Sequence, residues 1–131
     1  IMGTRSLTFV HDTDEAVLVC MYRQFDGYPE GHGSELASFL APFRIVNGIP
    51  MNAKPSKLAN GMGCLAAQMI AHFKTDAGGY YLYPANTSDV GEEYVYHVYD
   101  DRVTIINYND REIFNGSWSE FAKFCKMVGA A

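Results

Sequence analysis

Basic residues are scarce in this sequence of 131 residues, which has 10 Lys and Arg against 15 Asp and Glu and a formal net charge of −5. The basic residues are scattered and form no cluster. A protein that tracks nucleic acid needs a basic face that displaces counterions from the phosphates, and anionic membranes also attract basic segments. The composition therefore predicts no nucleic-acid partner and no membrane partner.

Cysteine is also rare, and the three cysteines, Cys20, Cys64 and Cys125, form no CxxC pair. The odd number and the wide spacing exclude a disulfide scaffold and a zinc motif. Each cysteine lies in an apolar run, which favours three reduced core cysteines in a cytoplasmic protein. We expect no metal and no cofactor, because metal-binding spacings are absent among the four histidines, His11, His32, His72 and His97.

Long apolar runs are missing as well, since none approaches the roughly 20 residues that span a bilayer. The polar start, Met2-Gly3-Thr4-Arg5-Ser6, does not resemble a signal peptide. We interpret Met2 as the natural initiator and Ile1 as a residue that precedes it. The whole chain, residues 1–131, is expected to form a single domain, because domains are commonest at roughly 100–150 residues.

Aromatic residues are plentiful, at 14% of the chain, and nine of them are tyrosines. Tyrosine combines an apolar ring with a polar hydroxyl, so a surplus indicates half-buried positions on sheet faces, in pocket walls or at interfaces. Apolar and turn residues together predict strands at residues 4–10, 16–23, 79–83, 94–99 and 102–108.

Three helices are predicted from apolar residues at helical spacing. The first follows Ser34 and ends near Pro42, and the second carries Leu58, Met62, Leu65, Met69 and Phe73 on one face and begins near Asn60. Ser117-Trp118-Ser119-Glu120 is a capping box that opens the third. Residues 44–56 are expected to be a connector. The order ββααβββα predicts an α+β fold with a mostly antiparallel sheet of about five strands and two to three helices on one face.

A glycine-rich loop at residues 26–33 lies between the second strand and the first helix. Its glycines allow close backbone approach to a ligand, and a helix N-terminus favours an anion. One hypothesis is an anionic or nucleotide-like ligand over this loop. The other is that the loop only turns the chain. The candidate ligand-binding residues are Arg5, Arg23, Asp26, Gly27, Tyr28, Gly31, His32 and Gly33.

A catalytic alternative is a hydrolase that uses His32 with Asp26 or with Cys64. A helix N-terminus lowers a thiol pKa, so Cys64 near the start of the second helix would be activated if a histidine lay beside it. Spacing along the sequence does not decide whether these side chains meet.

Two segments also carry a family resemblance: Gly3-Thr4-Arg5-Ser6, and Tyr22-x-x-x-Asp26-Gly27-Tyr28-Pro29-x-Gly31-x-Gly33. They resemble a group of small uncharacterised proteins found in bacteriophages, including marine ones, and in some bacteria. The resemblance covers about an eighth of the chain. It implies a phage or microbial, cytoplasmic setting and implies no mechanism.

The leading hypothesis from the sequence is therefore a module that binds a small anionic molecule or nucleotide. The first alternative is a protein-interaction module, such as a phage factor that occupies a host protein, which the acidic charge and the surplus tyrosines favour. The hydrolase is the second alternative. A second copy of the chain, in a homodimer, is a further candidate partner.

Overall fold

A computed structural model describes residues 3–49 and 58–130. Eight strands are present in this part of the chain: β1 (Ser6–His11), β2 (Val17–Arg23), β3 (Arg44–Val46), β4 (Leu58–Asn60), β5 (Tyr80–Tyr83), β6 (Tyr94–Val98), β7 (Val103–Ile106) and β8 (Glu112–Gly116). The helices are α1 (Ser34–Leu40), α2 (Gly61–Phe73) and α3 (Trp118–Ala130), and a π-helical turn, Pro29–Gly33, precedes α1. The α+β class predicted from the sequence is confirmed.

Six strands form one sheet in the order β5-β2-β1-β6-β7-β8. All neighbours in this sheet are antiparallel except β1 and β6, which run parallel. Parallel neighbours need a crossover connection. Residues 84–93 connect β5 to β6, and Val90 in this connection packs against the core cluster that contains Leu7, Phe9 and Tyr22.

The three helices lie on the other face of the sheet. Because side chains alternate along a strand, Val10 and Met21 point to the opposite face from Phe9 and Tyr22. The first pair belongs to the large core cluster, which also contains inward residues of all three helices, such as Leu36, Met69 and Phe121. The predicted packing of the helices on one face is therefore confirmed.

The strand prediction missed three strands. β3 and β4 form a separate parallel pair, with Ile45 opposite Ala59, and β8 adds a sixth strand beside β7. The connector prediction was therefore wrong at residues 44–46, and residues 50–56 lie outside the described residues. These strands are three to five residues long, too short for a clear alternating pattern.

A hairpin turn at Asp100-Asp101 joins β6 to β7 and is closed by the Tyr99 N–H, which donates to the Arg102 carbonyl at 2.9 Å. Among the described residues, no helix has the length and apolar character needed to cross a membrane.

Candidate functional site

The glycine-rich loop is a tightly closed turn. Asp26 adopts the left-handed conformation at φ 61°, and its carbonyl accepts the His32 N–H at 2.7 Å. The Gly27 N–H donates to the Thr4 carbonyl at 2.8 Å, which ties the loop to the residues before β1. The Tyr28 hydroxyl donates to the Asp26 carboxylate at 3.0 Å, and this hydrogen bond raises the pKa of Tyr28. These polar groups of the loop are thus hydrogen-bonded within the loop or to the segment before β1.

The glycines of the loop make room for neighbouring protein atoms. A Cβ at Gly27 would lie 2.9 Å from the Thr4 carbonyl oxygen, and one at Gly33 would lie 2.7 Å from Cys125 Sγ. A Cβ at Gly31 would lie 2.5 Å from the Asp26 carbonyl oxygen. None of these three is among the glycines with positive φ. The loop therefore needs glycine for internal packing, which is the structural explanation that the sequence left open.

The His32 side chain is completely buried. Its Nδ1 is 3.1 Å from Arg23 Nη1, and its Nε2 is 2.7 Å from Thr8 Oγ1. Arginine only donates, so Nδ1 accepts and Nε2 carries the proton that it donates to Thr8. Burial and the Arg23 charge lower the pKa of His32 to about 3. The ring is therefore neutral and structural.

Arg23 joins this buried histidine to the surface. Its Nη1 also donates to Glu35, a half-exposed residue at the start of α1, and its Nε donates to the Phe25 carbonyl. The guanidinium lies over the Tyr80 ring, 5.3 Å from its centroid. The side chain is 9% exposed. The charge and the hydrogen bonds of Arg23 thus hold β2, the loop and α1 together.

The structure does not bring Arg5 and Arg23 into one cleft. Ser6 pairs with Arg23 across β1 and β2, so these two share the helix-bearing face. The Arg5 guanidinium lies against Gly91 and bonds the Tyr22 hydroxyl on the other face. These two candidate ligand-binding residues therefore lie on opposite faces of the sheet, because adjacent residues of an extended segment alternate between faces.

The side chains of the hydrolase hypothesis have hydrogen-bond partners other than one another. Both ring nitrogens of His32 are held by Thr8 and Arg23, as described above. The Asp26 carboxylate is held by Tyr28, and Cys64 Sγ accepts a hydrogen bond from Gln68 Nε2 at 3.3 Å. The described residues contain no group of three or more His, Cys, Asp or Glu that could hold a metal ion.

A feature that the sequence analysis missed is an apolar groove between β5 and α2, which we call the β5–α2 groove. It has a volume of about 350 Å³ and is lined by Met21, Ile70, Lys74, Tyr80, Tyr81 and Leu82. Two of these residues are strongly exposed, Tyr81 at 48% and Leu82 at 59%. Apolar grooves that expose large side chains to solvent are typical of binding sites.

The groove runs along an outer edge of the six-stranded sheet, because β5 pairs only with β2 in the described sheet. The Gly79 carbonyl accepts the Gln24 N–H, which is the first hydrogen-bonded pair of this ladder. Such pairs alternate along an antiparallel ladder, so Tyr81 points its backbone groups at β2, whereas Tyr80 and Leu82 point theirs outward.

Lys74 occupies one end of this edge. Its Nζ donates to the Tyr80 carbonyl at 2.7 Å and to the Gly78 carbonyl at 3.2 Å, and it lies 5.1 Å from the centroid of the Tyr81 ring. The Tyr80 N–H donates to Gly78 at 2.9 Å. The outward groups of Tyr80 are thus satisfied within the chain, which leaves the N–H and C=O of Leu82 as the outward pair of this short strand.

One sequence signal could have found the groove. Tyr80-Tyr81-Leu82-Tyr83 is a short strand without a charge, bounded by Gly79 and Pro84. Edge strands usually carry charges, prolines or bulges that prevent pairing with other chains. An uncharged strand is also compatible with a central position, so the sequence alone does not distinguish the two.

Comparisons of the chain with protein-family models, with curated proteins and with solved structures give no match. The function is therefore argued from the geometry of the site.

Proposed function

We propose that the protein is a peptide-binding module, in which an extended segment of a partner protein adds to the outer edge of β5 and places apolar side chains in the β5–α2 groove. One observation carries the proposal: the outward backbone groups of Leu82 lie directly beside an apolar groove. Strand addition uses this combination, since main-chain hydrogen bonds give affinity and pockets for alternate side chains give specificity.

The helix α2 forms one wall of the groove, so the groove lies on the helix-bearing face of the sheet. In an added strand, alternate side chains point to opposite faces of the sheet. Those on the helix-bearing face meet Ile70 of α2 and Met21 of β2, both of which line the groove. Those on the other face meet Tyr81, which is half exposed. An added strand with apolar residues at every second position therefore buries them against the groove.

This proposal develops the protein-interaction hypothesis rather than binding at the glycine-rich loop. The loop residues Gly27, His32 and Gly33 are buried, and Arg23 is held by His32 and Glu35. A ligand at the loop would have to displace these internal contacts. Among the described residues, a strand added at β5 would displace no hydrogen bond on the outward side of Leu82.

The test is selection of binders from a display library of random octapeptides, followed by binding measurements on selected peptides. Leu82→Pro removes the outward N–H and keeps the bonds to β2, because proline is tolerated on an edge strand whose N–H faces solvent. We expect it to abolish binding, with Leu82→Ala weakening binding severalfold. Met127→Ala, at an exposed apolar residue of α3, is the matched control and should bind like the wild type.

NMR spectra supply the second readout. A selected peptide should shift the backbone amide of Leu82 and the side-chain methyl groups of Ile70. Retention of full affinity in a folded Leu82→Pro variant would rule out strand addition at β5, as would shifts confined to residues outside the groove.

A further inference from the structure

The two ends of the β5–α2 groove differ in charge, and this difference identifies the part of a partner that fits. Lys74 lies beside Tyr80, at the start of β5, and the strand ends at Tyr83 before Pro84. Lys74 is exposed, and its ammonium group sits at the end of an otherwise apolar groove. The two carbonyls of Gly78 and Tyr80 take two of the three N–H donors of this ammonium group.

We propose that the groove takes the C-terminal end of a partner chain, with an apolar last residue in the groove and its free α-carboxylate at Lys74. This inference rests on the proposed function and specifies its ligand. A strand that runs antiparallel to β5 ends beside the start of β5, which brings its carboxyl end to Lys74. A parallel strand would bring its amino end there, and a free α-ammonium would be repelled by the Lys74 charge.

The backbone before β5 explains why the added strand ends at this point. Gly78 and Gly79 have φ angles of 114° and 76°, so the chain turns sharply just before Tyr80. The Gly79 carbonyl is directed at Gln24 of the neighbouring chain segment. The edge of β5 available for pairing therefore stops near Tyr80, and a strand that continued past Lys74 would extend beyond this edge.

Hydrogen bonding and charge act together at this end. A carboxylate beside Lys74 accepts a charge-assisted hydrogen bond, which is shorter and stronger than one between neutral groups. The apolar lining of the groove, including Ile70 and Met21, excludes water from one side of that contact. A carboxamide at the same place would keep the shape of the peptide and lose the charge.

The experiment compares two libraries of random octapeptides, one displayed with free C-termini and one with blocked C-termini. Peptides enriched from the first library are then synthesised as acids and as carboxamides, and their dissociation constants are measured with dilute wild-type protein. We expect an apolar last residue in the enriched sequences and about tenfold tighter binding of the acid. Lys74→Met should remove this preference for the acid, and Lys74→Arg should retain it.

The outcomes separate the two proposals. Equal affinities of acid and carboxamide for the wild type, with Leu82→Pro still abolishing binding, would overturn the C-terminal inference and keep strand addition. Enrichment from the blocked library alone would do the same. Failure of both libraries to give any binder would overturn the proposed function and this inference with it. The comparison on the wild type does not depend on how well the Lys74 variants fold.

Discussion

At the scale of single residues, the chain of contacts Thr8–His32–Arg23–Glu35 connects the core to the surface. The sequence placed both Arg23 and His32 among the candidate ligand-binding residues of the glycine-rich loop. It did not indicate that they bond each other rather than a ligand. That outcome depends on the left-handed Asp26, which closes the turn and directs His32 into the core. Local sequence does not specify the long-range packing against Thr8.

His32 gives the first prediction at this scale. Its pKa is about 3 in the folded protein and near 6.5 in an unfolded chain, so the unfolded state binds more protons between these values. The contribution of His32 to the free energy of unfolding is complete above pH 6.5. It falls as the pH drops towards 3, by up to about 1.4 kcal/mol per pH unit. Urea unfolding at several pH values should show this loss in the wild type and a shallower one in His32→Gln.

The substitution is chosen because a glutamine offers the same pair of contacts, an oxygen that accepts from Arg23 and an N–H that donates to Thr8. Burial and the nearby His11 lower the pKa of His97 to about 4, so His97 maintains part of the pH dependence in the variant. His72→Gln, at an exposed histidine, is the control and should follow the wild type. An unchanged pH dependence in His32→Gln would contradict the assignment.

At the scale of the elements, signals contained within a few residues were predicted correctly. The capping box is present: the Ser117 N–H donates to the Glu120 carboxylate at 2.8 Å, and the Glu120 N–H donates to Ser117 Oγ at 3.2 Å. These bonds lower the pKa of Glu120. β8 was missed because Ile113 and Phe114 are its only large apolar residues, and the strand forms through pairing with β7.

Alanine substitutions at the two glycines near the start of α2 should change the stability of the protein in opposite directions. Gly63 lies within the helix with open space where a Cβ would be, so Gly63→Ala should stabilise the protein by about 0.5–1 kcal/mol. Gly61 has φ 82°, and alanine in the left-handed region costs about 1–2 kcal/mol. Thermal unfolding should therefore show Tm a few degrees higher for Gly63→Ala and lower for Gly61→Ala. A rise for both would show that the backbone at residue 61 relaxes.

At the scale of the whole molecule, the class and the helix-bearing face followed from the order of elements, whereas the strand order did not. The parallel pairing of β1 with β6 joins residues almost 90 positions apart, for example Ser6 with Tyr94. Nothing in either strand encodes that partner, because both are apolar alternating segments that would fit several neighbours. The position of β5 at an edge, and with it the proposed binding site, follows from this non-local choice.

An edge strand that accepts a partner strand, as proposed for β5, must still not pair with copies of itself, and we expect Lys74 to limit such pairing. Its ammonium group covers the Tyr80 carbonyl and places a charge beside β5. A lysine at a strand edge opposes edge-to-edge pairing, since a second strand would have to cover its charge. Lys74→Met keeps the length of the side chain and removes both effects.

We therefore expect Lys74→Met to form more dimer than the wild type in sedimentation equilibrium at the same protein concentration, through antiparallel pairing of Leu82 with Leu82 of a second copy. Lys123→Met, at an exposed lysine of α3, is the matched control and should sediment like the wild type. The double variant Lys74→Met with Leu82→Pro should return to the wild-type distribution, because proline removes the N–H that such pairing needs. Dimers that persist in the double variant would show that the contact lies elsewhere, and would contradict the role of Lys74 in preventing pairing at the edge of β5.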